Sequence, residues 1–213
     1  MARITKGILG GFSGKVGTIV GANWRGQDII RSTPKPSSRP PSEKQRLQQN
    51  KFKMVISFLQ PINSIQKRYF GSGSGSKSRV NLAVSYTLNE AIELVGDVPQ
   101  LMYNKVLITR GDLAGFQNVS ATPQASQVID LNWEDNSVQG NANAADNANA
   151  VCYCEELGTF EIFESLGERS FLNATVTLPS YYAGKMVQVW VYFNNTAETL
   201  ACNSPYLGTF TVL

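Results

Sequence analysis

The chain has 213 residues, 42% of them hydrophobic and 16% charged, a balance that describes a folded protein rather than a disordered one. Its net charge of +3 hides an asymmetry: residues 1–80 carry fifteen Lys/Arg against Asp28 and Glu43, whereas residues 81–213 carry four Lys/Arg against fourteen Asp/Glu. No stretch approaches the roughly 18 consecutive apolar residues of a membrane span, and the absence of histidine removes the commonest general base at neutral pH and the commonest metal ligand.

Residues 1–33 hold seven glycines interleaved with Val16, Ile19, Val20, Trp24, Ile29 and Ile30. β-Branched residues punctuated by glycine predict extended segments with a hairpin turn near Arg25-Gly26. Such strands are weak alone and call for a neighbouring surface to pair with. The apolar stretch that follows Arg3 and Lys6 is broken by Gly7, Gly10, Gly11 and Gly14 and then by Lys15, so it forms no signal-peptide core. The expected location is therefore the cytoplasm, or release as part of an assembly. The cysteines agree: Cys152, Cys154 and Cys202 are too few and too oddly numbered for a disulfide framework, and they read as small buried thiols of a reducing compartment.

Four prolines between Pro34 and Pro41 favour a semi-rigid polyproline spacer. Ser42 with Gln45 three residues later fits a capping box, and Val55, Phe58, Ile62, Ile65 and Tyr69 mark the apolar face of the helix that follows. Pro61 should kink or split it. After the flexible link Gly71-Ser72-Gly73-Ser74-Gly75-Ser76, a second helix is predicted over 78–95, ending at Gly96. From about Tyr103 the period changes to two. Ile129, Leu131 and Trp133 alternate with polar neighbours, as do Leu172, Ala174, Val176 and Leu178, and then Val187, Val189, Val191 and Phe193. With 106–109, 151–154, 160–163 and 206–213, about seven short strands appear at sandwich-like spacing.

The expected fold is thus α+β, in three parts: a basic β-arm or hairpin with its linker over 1–41, a helical hairpin over 42–98, and a C-terminal antiparallel β-sandwich over 99–213. The sandwich resembles a fibronectin type III module, an immunoglobulin-like fold. Ile129-Asp130-Leu131-Asn132-Trp133 resembles its second strand with the core tryptophan, and Leu178-Pro179 through Val191 resembles the approach to its sixth. Met186 and Val187 stand where that family's corner tyrosine is expected. The whole chain is similar to an uncharacterised family of short proteins found mainly in the Bacteroidetes, through Lys6-Gly7-Ile8-Leu9-Gly10-Gly11-Phe12-Ser13-Gly14-Lys15-Val16-Gly17, Trp24-Arg25-Gly26, Lys77-Ser78-Arg79, Ala83-Val84-Ser85-Tyr86 and Arg110-Gly111. That resemblance implies no activity.

The sequence offers little catalytic chemistry. Gly10-Gly11-Phe12-Ser13-Gly14-Lys15 fails as a phosphate loop, because Leu9 stands where the first glycine is required and Val16 replaces the Ser/Thr that would hold Mg²⁺. The carboxylate pairs Glu134-Asp135, Glu155-Glu156 and Glu161 with Glu164 read as solvated surface unless the fold brings them together. No enzyme activity, metal, cofactor or small-molecule substrate is expected. What remains is the basic third, where Lys15, Trp24, Arg25, Arg31, Lys35, Arg39, Arg46 and Lys53 are the residues expected to face a partner or a polyanion. The leading expectation is a structural protein that self-associates into a homo-oligomer through its N-terminal arm, as a component of a larger phage-like or secreted assembly. The alternative is a nucleic-acid-binding protein that uses the same basic residues as an electrostatic footprint.

Overall fold

The computed structural model describes residues 3–4, 10–24, 26–35, 39–73 and 77–213. Arg25, residues 5–9, the 36–38 part of the spacer and the 74–76 part of the link lie outside the described residues. The chain divides into two units, Met1–Glu43 and Lys44–Leu213.

The first unit is an antiparallel sheet in chain order: β1 (Arg3–Ile4), β2 (Phe12–Val16), β3 (Ile19–Trp24) and β4 (Gln27–Ser32). β3 and β4 pair from Ile19 opposite Ser32 to Trp24 opposite Gln27, which puts the hairpin turn where the glycine at 26 leads one to expect it. Gly21 is the glycine the sheet requires. A Cβ there would lie 2.2 Å from the Phe12 carbonyl oxygen, well inside contact distance.

In the second unit, α1 (Glu43–Leu59) begins immediately after Ser42, and α2 (Asn63–Tyr69) resumes the path beyond Pro61. α3 (Arg79–Glu90) is N-capped by Ser78, whose hydroxyl accepts from the Asn81 amide at 3.3 Å. The second helix is therefore shorter than its sequence period predicts. Residues 92–95 leave it as β5 (Ile92–Val95), paired with β6 (Val98–Leu101) around Gly96-Asp97. Gly96 has φ +65°, a conformation that caps a helix or turns a hairpin equally well. The β-branched Ile92, Val95 and Val98 flanking it favour the hairpin.

Seven strands follow: β7 (Gln117–Gln124), β8 (Val128–Glu134), β9 (Asn147–Cys154), β10 (Thr159–Glu168), β11 (Asn173–Thr177), β12 (Met186–Asn194) and β13 (Tyr206–Thr211). They form two antiparallel sheets, ordered β11-β8-β7 and β10-β9-β12-β13. Residues 106–109, expected as a strand, are not one. The Ser204 hydroxyl accepts from the Ile108 and Thr109 amides at 2.7 and 3.2 Å, so a side chain takes the donors that a strand ladder would use. Among the described residues no helix is long and apolar enough to cross a membrane.

β9 and β12 are buried on both faces. On one side of β12, Phe193 meets Trp133 of β8 edge to face at 5.8 Å, joining the two sheets. On the other side, Trp190 and Tyr192 pack against Phe58 of α1 and Tyr69 of α2. Helices, four-stranded sheet and three-stranded sheet thus stack as three layers over a shared core.

Arg169 lies fully buried between β10 and β11. Its guanidinium donates to the buried Asp146 carboxylate at 3.0 Å, to Asn136 Oδ1 at 2.6 Å and to the carbonyls of Ala114 and Gly115 at 2.8 and 3.1 Å. It also lies 3.9 Å from the centre of the Phe193 ring, and its own carbonyl accepts from the Trp133 indole. One side chain therefore ties the segment before β7, the loop before β9 and the turn before β11 to the same tryptophan. Arg169→Met should cost about 3–5 kcal/mol by orphaning a buried carboxylate, and Arg169→Lys should recover only part of it, because a point charge cannot span four acceptors. Urea denaturation measures this, and a loss below about 1 kcal/mol would refute the clamp.

The three thiols are free and buried. Burial, and then the Glu161 carboxylate, pushes the Cys152 thiol up to about 12. Burial likewise pushes Cys202 up to about 11, and the Tyr182 hydroxyl, bonded to Thr159 Oγ1 at 2.9 Å, to about 12. A folded-state pKa above the unfolded value stabilises the protein below the unfolded value, and that contribution is lost as pH rises through the folded one. Stability should therefore fall from about pH 9 upward, starting at the thiols' ordinary pKa of 9.0. A thiol reagent at pH 8 should label no cysteine of the native protein and all three after unfolding. Labelling of native protein at the unfolded rate would overturn this.

Candidate interaction surfaces

Strand register sorts the side chains of the N-terminal sheet onto two faces. Lys15 pairs with Val20, and Val20 with Arg31, so the two cations flank one valine in a single row. Trp24 stands four residues along β3 from Val20 and shares that face. The opposite face carries Val16 beside Ile19, with Ile30 opposite Gly21. Val16, Ile30 and Trp24 are 51%, 65% and 51% exposed. Gly21 is the only buried residue among those described in this unit.

The sequence-selected residues do not all converge. Lys15, Trp24 and Arg31 share a face, and Lys35 and Arg39 are exposed on the chain beyond β4. Arg25 lies outside the described residues. Arg46 and Lys53 are exposed on α1, in the second unit. The first twelve residues of α1 bury nothing; Val55, Phe58 and Leu59 anchor its last turns.

Two of the clefts on the second unit have aromatic rings in their walls. The first, about 650 Å³, lies between α1, β6 and the β9–β10 hairpin and is walled by Met54, Phe58, Tyr103, Tyr153 and Phe160. Its rings pack on one another: Tyr153 lies 4.5 Å from Phe160 and 5.1 Å from Phe58, centre to centre. Glu155 is the only charged residue of the wall. Burial first, and the Glu155 carboxylate second, hold the Tyr103 and Tyr153 hydroxyls protonated above the ordinary tyrosine range. No lysine or arginine pairs with Glu155 among the described residues. The sequence hid this site, because its rings come from a helix, a turn and two strands. The nearest signal is that β9 and β10 present Tyr153 and Phe160, directly paired, on a face the helices leave partly open.

The second cleft, about 690 Å³, brings Arg68, Arg79 and Arg110 together with Tyr86. Arg68 is bound by the carboxylates of Glu164 and Glu198, and the Arg110 guanidinium lies 5.6 Å from the centre of the Tyr86 ring. Glu90 and Asp112 also line this cleft. The Arg68 pairs also show that the basic helices and acidic strands meet within a single chain.

The carboxylate pairs are drawn apart rather than together. Glu134 accepts from Asn118 at 2.8 Å, and Asp135 from the Ser137 amide at 2.9 Å. Glu156 takes Lys185 at 2.7 Å, Glu161 takes the Tyr181 hydroxyl at 2.6 Å, and Glu164 takes Arg68. Among the described residues no three of His, Cys, Asp and Glu gather as a metal-binding group.

The sequence pattern of a family of unknown function, DUF6266, matches residues 11–208. The chain belongs to that family. No curated protein matches it significantly.

Proposed function

We propose that this member of the family is a non-enzymatic structural or interaction protein that self-associates through its basic N-terminal strands, as a component of a larger phage-like or secreted assembly. The observation that carries the reading is the face of Val16, Ile19 and Ile30, all exposed on a sheet whose described residues bury only Gly21. A small sheet with no interior is marginal in water and gains stability by laying its apolar face on another surface. A second copy is the surface always at hand.

The rest of the chain fits a scaffold. The first, second and fifth strands of the packed pair make one sheet and the third, fourth, sixth and seventh the other, in the orders 5-2-1 and 4-3-6-7. That order supports a fibronectin type III-like sandwich, with Trp133 buried on its second strand. Tyr182, four residues before β12 and fully buried, supplies an aromatic close to where the family's corner tyrosine was sought. Free, buried thiols suit a protein made in a reducing compartment and either kept there or released with its assembly.

A second reading has its own observation. Lys15, Arg31 and Trp24 on one face offer two cations and a stacking ring, the elements of phosphate and base contact. Size exclusion with light scattering at low and high salt, with the 260/280 nm absorbance ratio recorded, separates the two. Self-association predicts a species larger than one chain and free of nucleic acid, and a monomer once residues 1–33 are removed. An unchanged mass after that removal would sink the reading. A monomer that carries 260 nm-absorbing material until salt strips it would establish the second one.

A further inference from the structure

We propose that the groove between α1, β6 and the β9–β10 hairpin receives a cationic side chain from the N-terminal strands of a second copy. The inference rests on the self-association reading and names the surface that accepts the arm.

The groove has the chemistry of a cation receptor. Phe58, Tyr103, Tyr153 and Phe160 supply ring surface, and a cation over a ring face is attracted by its quadrupole. Glu155 places one carboxylate at that wall. The neighbouring carboxylate of the same hairpin, Glu156, already holds a lysine, Lys185. Glu155 has none among the described residues. β6 also exposes Val98, 61% accessible, beside the groove wall at Pro99, so apolar surface continues past the rings.

The arm has the complementary chemistry. Residues 1–43 contain seven Lys/Arg against Asp28 and Glu43. Lys15 of β2 and Arg31 of β4 flank Val20 of β3 in one row across the sheet, so that one face presents two cations. A cation carried on extended backbone matches an aromatic-walled groove marked by a single acid in charge. Groove and arm are different surfaces, so each copy offers one of each. The contact is head to tail, and it closes into a ring or propagates as a filament.

That asymmetry provides the test. In the full chain, Glu155→Arg should prevent self-association without unfolding the second unit, because the residue is exposed. Glu155→Gln should weaken it about tenfold, the scale of one lost charge pair. Lys15→Glu with Arg31→Glu should also give a monomer. Mixing the E155R chain, whose arm is intact, with the K15E/R31E chain, whose groove is intact, should yield a 1:1 dimer that grows no further. Analytical ultracentrifugation reads the mass of each variant and of the mixture. If removing residues 1–33 gives a monomer but E155R keeps the wild-type mass, the groove is not the acceptor, although the arm still assembles the protein. A mixture that yields no dimer overturns the inference too, whether the arm folds onto its own groove or the groove takes another ligand. A wild-type chain that is monomeric at every concentration removes both readings.

Discussion

The constraint on which the second unit depends is that β12 must be covered on both faces. Val187, Val189, Val191 and Phe193 point to one side, Trp190 and Tyr192 to the other, and all are fully buried. A strand that faced water on one side would alternate apolar with polar residues. β12 instead carries large aromatics on its second face. An uncovered Trp190 and Tyr192 would expose an apolar patch at the centre of the sheet, a few kcal/mol of lost burial each. α1 and α2 therefore belong to the core, and they reach this sheet through Phe58 against Trp190 and Tyr69 against Tyr192.

Polar chemistry inside the core follows from the same crowding. Once the sheets close on Trp133 and Phe193, the segment entering β7 turns the Ala114 and Gly115 carbonyls towards the buried Arg169 guanidinium. Arg169 satisfies them with a single five-donor group and uses Asp146 to balance its charge. A lysine there would leave acceptors unsatisfied, and an apolar residue would leave a buried carboxylate. The arrangement is specific in geometry, and it explains why so acidic a half of the chain keeps an arginine in its interior.

Much of this architecture was legible in the sequence. Periodicity of two found β8, β11 and β12, and Pro61 marked the break between α1 and α2, because both signals are local and steric. The end of α3 was misread because Val84, Leu88, Ala91 and Val95 keep a helical period and Gly96 suits a helix cap as well as a hairpin turn; only pairing with β6 decides. Residues 106–109 look like a strand, but Ser204, nearly a hundred residues away, takes their amides. Arg169 gave one faint signal, as one of only four cations in the acidic half. The aromatic groove gave none, since its rings become neighbours only after helix, turn and strands are packed.

The charge asymmetry takes a different form once placed in three dimensions. Part of it is spent inside the second unit, where Arg68 of α2 bridges Glu164 and Glu198, and Lys105 pairs with Glu93. Among the charges left are Lys15 and Arg31 on one face of the N-terminal sheet, Arg46 and Lys53 on the exposed turns of α1, and Glu155 in the groove walled by Phe58, Tyr103, Tyr153 and Phe160. The described residues of the N-terminal sheet bury only Gly21, and the groove holds an acid with no lysine or arginine paired to it among the described residues. The head-to-tail contact proposed above would bring a surface of each sign together between copies, beyond the pairing that Arg68 and Lys105 already make within one chain.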